Sequence, residues 1–281
     1  MTPTNFNTIG IGIAFSPNLK ANIYEASRLA LRFNAKLILV HVGKRTTQKE
    51  ETLKSILAPF KQEQLHYKVL YELGNPVEVI LDTIKQQKID LLVLGALKRE
   101  KLVKFYVGSI ARKITRQANC SVLLLIKPSV HRVPCKHVVV NGLSSPKTSA
   151  TVAASFYVSH TLEAEKITIV EEISQQQVQV KVDDDKTLRK ATIVKERIRL
   201  REDYRVKQIL EDIPAPYKEN VQIKTQSIFG KSGYSIGHYA QLMRADLLVM
   251  NGSDKHTFWD RFFTHDLEYI LRELPTDVLV I

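Results

Sequence analysis

Cysteine is scarce. Cys120 and Cys135 are the only two in 281 residues, so no disulfide framework is expected and a reducing cytoplasm is the compartment that fits. Long apolar runs are absent as well. Nothing approaches the roughly 18–20 consecutive apolar residues that a membrane helix requires. The opening Met1-Thr-Pro-Thr-Asn carries no basic-then-apolar pattern, so neither an export signal nor a membrane partner is expected. Zinc-finger spacing, RNA-binding signatures and basic stripes interleaved with aromatics are missing too, which disfavours nucleic acid. An acidic excess is also lacking: the formal net charge is +12. Residues 1–133 hold 21 Lys/Arg against 9 Asp/Glu, whereas residues 134–281 hold 20 of each. The positive field of the first half favours an anionic partner.

What is present alternates. Thr8–Phe15, Lys36–Val42, His66–Glu72, Leu91–Leu94 and Val122–Ile126 read as strands. Between them lie helical patterns over Asn18–Phe33 and Thr46–Gln64, one from Asn75-Pro76 to about Gln87, and one opened by Gly108-Ser109 with Ser109 placed to cap it. Strands regularly separated by helices imply βαβ crossovers and a parallel sheet. Leu91–Leu94 is apolar without interruption, as suits a strand buried on both faces. Gly95 ends it, and a loop follows with Lys98, Arg99, Lys101 and Lys104 against Glu100. Strand, glycine, basic loop and small-residue helix start together bring backbone N–H groups to an anion at the carboxyl end of a sheet.

The pattern then repeats. Asp90-Leu-Leu-Val-Leu pairs with Asp246-Leu-Leu-Val-Met at an offset of 156, and Val122 pairs with Val278 at the same offset. Lys36-Leu-Ile-Leu-Val pairs with Lys166-Ile-Thr-Ile-Val at an offset of 130. The second copy therefore carries 26 extra residues, which fall within 171–220 and include Asp183-Asp-Asp and a charged helix from about Thr187 to Ile213. The three carboxylates are expected to serve that helix's N-terminal dipole. Domains are expected over 1–130 and 135–281, joined by a linker at Lys127–Cys135.

Gly95-x2-Lys98-x9-Gly108-Ser109, with Asp90-Leu-Leu-Val-Leu before it and Ala118-Asn-Cys-Ser-Val-Leu after it, resembles the G-x2-G-x9-G-[S/T] motif of the universal stress proteins. The resemblance implies an α/β fold of two tandem Rossmann-like domains, similar to the adenine nucleotide alpha hydrolase group. Each would have a five-stranded parallel sheet of order 3-2-1-4-5 with helices on both faces. It implies an adenine nucleotide (ATP, ADP or AMP), with magnesium admitted as its companion ion, held in the first domain. By this resemblance Ala14, where the family usually carries aspartate, and Val42, through its backbone, would lie near base and sugar. Gly95, Lys98, Gly108 and Ser109 would meet phosphate. Lys98 replaces a glycine; a left-handed backbone there would cost about 1–2 kcal/mol, and its ammonium could meet phosphate directly. The resemblance also implies an intramolecular pseudo-dimer with Val122–Ile126 meeting Val278–Ile281, a homodimer being admitted, and a regulatory role exerted through conformation and an unknown protein partner. A nucleotide-free scaffold and a weak ATP hydrolase stand as alternatives.

In the second copy the motif positions become Asn251, Asp254, Thr264 and His265, and aromatics Phe258, Trp259, Phe262 and Phe263 crowd the loop, so at most one nucleotide per chain is expected. Gly230-Lys231-Ser232-Gly233 imitates a phosphate loop but lacks its first glycine, Thr225 standing there instead, and is read as a turn and helix cap. His131, Cys135 and His137 lack a fourth ligand and are read as linker side chains. No nucleophile–base pair is found, so catalysis is not expected.

Overall fold

The computed structural model describes residues 5–98, 105–231, 233–252 and 267–281, and the backbone alone at Lys98, Gln175 and Gln176. Two compact units emerge. The first runs up to Pro134 and includes Leu271–Ile281; the second is Cys135–Ile270.

In the first unit β1 (Thr8–Gly12), β2 (Lys36–Val42), β3 (Tyr67–Glu72), β4 (Leu91–Gly95) and β7 (Ser121–Leu125) lie parallel in the order β3-β2-β1-β4-β7. This is the expected 3-2-1-4-5 order. Leu91–Leu94 and the whole of β7 are buried, as uninterrupted apolar runs require. The helices are α1 (Leu19–Arg32), α2 (Thr47–Leu57), α3 (Pro76–Gln87) and α4 (Ser109–Gln117). Asn75 caps α3 by accepting the Val77 N–H at 2.9 Å, with Pro76 at the first helical position. α2 stops short of the expected Gln64 because Pro59 has no N–H to continue it, and a 3-10 turn over Ala58–Lys61 takes over.

Three expectations are corrected. Lys98 is not left-handed: Leu97–Lys98 (β5) pairs antiparallel with Phe105–Tyr106 (β6), so the segment expected as a plain basic loop starts and ends as a hairpin. Residues 99–104 lie outside the described residues. Ser109 does not cap α4; Gly108 is the N-cap and Ser109 the first helical residue. Finally β12 (Asp277–Val280), counted with the second domain by sequence, belongs to the first unit. It pairs antiparallel with β7, Val278 with Leu124 and Val280 with Val122, which is the expected meeting of these segments.

The second unit contains β8 (His137–Asn141), β9 (Lys166–Ser174), β10 (Gln222–Gly230) and β11 (Leu247–Met250), parallel in the order β10-β9-β8-β11. Its helices are α5 (Thr148–Leu162), the short α6 (Gln175–Val178), the 27-residue α7 (Asp185–Glu211), the short α8 (Ala215–Lys218) and α9 (Tyr234–Leu242). α7 is the inserted charged helix. Asp184 caps it through a reciprocal pair with Thr187, and those bonds hold the Asp184 carboxyl below its ordinary pKa.

Candidate functional site

The first unit's sheet reverses direction at β1: the chain proceeds outward to β2 and β3 on one side and to β4 and β7 on the other. Such a switch point opens a crevice at the carboxyl ends of the central strands. Register fixes what lines it. Ile11 pairs with Val93 and Gly12 with Val40, so Ala14, Val42 and Gly95 stand at nearly one level on three neighbouring strands. Ala14 and Gly95 are exposed, and Val42 is half-buried.

Gly95 is a glycine for a reason of space. A Cβ there would stand 3.1–3.2 Å from both the Nδ2 and Oδ1 of Asn22, on the first turn of α1. The Asn22 Oδ1 is buried and has no hydrogen-bond partner. Its amide is therefore turned edge-on to the bare glycine, with one polar end unspent. From Gly95 the chain enters β5, and the Leu97 side chain closes on Gly108, where a Cβ would meet its Cδ1 at 2.9 Å. Gly108 brings α4 in without a side-chain cap, and no acid stands in its first turn. The first N–H groups of α4 are thus left for an outside acceptor, with the helix dipole behind them. Ser109 is exposed beside them. The structure thus sets Ala14, Val42 and Gly95 on one edge and connects Gly108 and Ser109 to it through the hairpin. For Lys98 it gives the extended backbone only.

Two features carried no sequence signal. One is Asn22, whose meaning depends on the glycine beside it. The other is a polar–aromatic cluster at the ends of β1 and β2. Buried His41 places Nδ1 3.2 Å from the Ile13 carbonyl, so Nδ1 carries the proton and Nε2 turns its lone pair to Lys49 Nζ at 2.9 Å. Lys49 also donates to the Lys44 carbonyl at 2.9 Å and lies over the Phe15 ring, 5.4 Å from its centroid. Phe15 packs edge-on against His41. Nearby, burial and the Glu50 charge push the Tyr71 hydroxyl up, against the opposing pull of Arg45. The mouth of the crevice is therefore rimmed by Phe15 and His41, with the Lys49 ammonium against both.

The second unit closes the equivalent places with its own atoms. Asn251, at the position of Gly95, puts a side chain where the first unit has none, and its Nδ2 donates to Thr148 Oγ1 at 3.3 Å. Lys147 Nζ donates to the Gly252 carbonyl at 3.2 Å. Arg205 of α7 donates to the Gly142 carbonyl at the end of β8. Glu172, at the position of Val42, accepts from the Gly233, Ser235 and Ile236 N–H groups at 2.7, 3.0 and 3.2 Å. The phosphate-loop look-alike at Gly230 thus ends in a helix start already filled by a carboxylate. Asp254, Thr264, His265 and the aromatics Phe258, Trp259, Phe262 and Phe263 lie outside the described residues, as does Ser232.

His137 Nε2 lies 2.9 Å from the Thr168 hydroxyl, and burial, ahead of the nearby Lys166 charge, lowers its pKa. Among the described residues no group of three or more His, Cys, Asp or Glu is placed to hold a metal ion. None of the described helices is long and apolar enough to cross a membrane.

Residues 43–125 match the universal stress protein family, so the match spans β3, β4, the hairpin and α4. A universal stress protein of Methanocaldococcus jannaschii is 33% identical over 55 residues, 20% of this chain and 32% of that protein. One of Synechocystis is 26% identical over 91 residues, 32% of this chain and 59% of that protein. The chain thus spans less than two thirds of either relative. Among solved structures, a universal stress protein of Archaeoglobus fulgidus superposes with a TM-score of 0.69 at 13% identity, covering 100% of this chain and 98% of that one, which establishes the shared fold.

Proposed function

We propose that the first unit, whose residues 43–125 match the universal stress protein family, binds one adenine nucleotide and that the protein acts as a regulator through conformation and partners, not as a hydrolase. The observation that carries this reading is the Gly95 cradle: a bare glycine at the switch point, an unspent amide on Asn22 beside it, and a helix start with neither cap nor acid. A phosphate group fits that set. Its oxygens accept from α4's N–H groups, and either end of the Asn22 amide can turn to a ligand hydroxyl or oxygen. The first unit's net charge supplies long-range attraction. α4's first turn holds no acid, so it offers a nucleotide's magnesium no carboxylate ligand.

The second unit serves as the closed half. With Lys147, Arg205 and Glu172 engaged internally, and the Asn251 side chain standing where the first unit has a bare glycine, a ligand there would have to break those contacts before making its own. The expected stoichiometry is therefore one nucleotide per chain.

Calorimetric titration of the intact protein with ATP tests both statements. One site is expected in the wild type. Ser109→Asp sets a carboxylate at α4's first turn, about 4 Å from the phosphate position, and should weaken binding by roughly 1–4 kcal/mol. Two equivalent sites, or an unchanged affinity in the variant, would remove this loop from the function. A magnesium-dependent turnover assay on the same sample separates binding from hydrolysis.

A further inference from the structure

α7 has two faces of opposite character. Ala191 and Val206 are buried, with Val194 and Ile198 half-buried between them; this seam packs onto the second unit. The opposite seam runs Lys186, Lys190, Ile193, Arg197, Leu200, Tyr204, with spacings alternating four and three. Ile193 and Leu200 are 54% and 55% exposed and Tyr204 is 64% exposed, so these side chains are not part of the core. Along the first half of this face runs a shallow, open groove between side chains of α7 alone, lined by Asp185, Lys186, Arg189, Lys190, Ile193 and Arg197 among others. The acids nearby are already engaged or set at its end. Glu196 is held by Arg199 at 2.6 Å, which keeps it below its ordinary pKa, and Asp185 stands at the helix start.

From this seam we infer that α7's outward face docks an acidic amphipathic helix of a partner protein. The alternation of four and three is the register of helix-on-helix packing, in which Ile193 and Leu200 act as knobs one heptad apart. The charge selects the partner: four cations line the groove, so the complementary helix carries glutamates or aspartates beside its apolar seam. A second copy of this chain would bring like charges face to face. A lipid surface suits a helix whose apolar side is continuous, with cations at its flanks, whereas here Arg197 sits within the ridge itself. Nucleic acid would leave Ile193 and Leu200 without an apolar contact. The inference rests on the inserted helix alone and stands whether or not the first unit binds nucleotide.

The probe is a synthetic helix of about four heptads, leucine at its core positions and glutamate at the flanking ones, labelled with fluorescein. Anisotropy with the intact protein should show saturable one-to-one binding. Two double variants at exposed positions, Ile193→Ser with Leu200→Ser and Arg189→Glu with Arg197→Glu, should each weaken binding at least about tenfold, while circular dichroism confirms an unchanged helix content. The same peptide with lysine replacing glutamate should not bind. The inference fails if the acidic peptide does not bind, if either double variant binds as the wild type does, or if lysine and glutamate peptides bind equally. It fails equally if the wild type ignores the peptide but co-sediments with phosphatidylglycerol vesicles or with single-stranded RNA, or if it self-associates in a way that Ile193→Ser abolishes.

Discussion

Glu171 and Glu172 stand side by side at the end of β9 and meet opposite conditions. Glu172 collects three backbone N–H groups at the start of α9. Its neighbour is buried with one oxygen on the Ser227 hydroxyl at 2.8 Å and the other without a partner. Burial pushes the Glu171 carboxyl up to about 7; the Ser227 bond and Arg205 oppose this, while Asp203 and Glu202 add to it. A carboxyl that holds its proton more tightly when folded than when unfolded stabilises the fold in acid. That contribution is complete below about pH 4.5 and is lost as pH rises through about 7. Between those limits the wild type should lose up to roughly 3 kcal/mol of stability that Glu171→Gln does not lose. Urea denaturation at pH 5 and pH 8 measures the difference. Parallel pH profiles for wild type and variant would mean that Glu171 is already ionised at neutral pH. Nothing in the residue order distinguishes these two glutamates, because α7 and the β10–α9 turn decide their surroundings.

Among the elements, the repeat extends below the strands to their fastenings. Asp90 Oδ2 accepts from the Asn7 and Thr8 N–H groups, both at 2.9 Å, and so ties the start of β4 to the entry of β1. Asp246, at the offset of 156, does the same for β11 and β8 through Lys136 and His137 at 2.8 and 2.9 Å. Removing such an acceptor leaves two donors at a strand entry, so Asp90→Ala should cost about 1–3 kcal/mol with the denaturant slope unchanged. Asp90→Asn, which keeps one acceptor oxygen, should cost less, and equal urea midpoints for all three proteins would contradict the fastening. The Asp-Leu-Leu-Val repeat was legible in the sequence, as were the buried strands, the Asn75-Pro76 start and the acid cap of α7, because each rests on residues close together in the chain. Gly95 and Gly108 were legible from spacing. The hairpin of Leu97 with Tyr106 was not, since basic residues mask its pairing. Asn22 was not, because an asparagine on a helix face acquires meaning only from the bare glycine across the crevice.

For the whole molecule, the boundary drawn by sequence and the boundary of packing differ at the carboxyl end. The repeat counts Leu271–Ile281 with the second copy, yet these residues complete the first unit. Val278, Leu279 and Val280 are buried, and their antiparallel pairing covers the outer edge of β7. Asp277 accepts the Ile126 N–H at 2.8 Å just past that strand's end. Leu271 and Leu274 are buried too, and their backbones bond to Val107 and Phe105 on either side of the hairpin end. A chain ending at Ile270 would retain residues 1–134 intact and still lose five buried apolar side chains, each worth about 1.5–3 kcal/mol of burial before ordering costs are subtracted. It would also bare the apolar edge of β7, a template for pairing with other chains. The truncated protein should therefore melt at lower temperature in circular dichroism and elute earlier than the wild type in size-exclusion chromatography. Ile281 removed alone should change neither. Because β6 and the start of α4 lean on Leu271 and Leu274, the truncation should also weaken ATP binding in the first unit more than its loss of stability accounts for. A truncated chain that elutes and melts with the wild type and binds ATP equally would show that the first unit is complete without its borrowed strand.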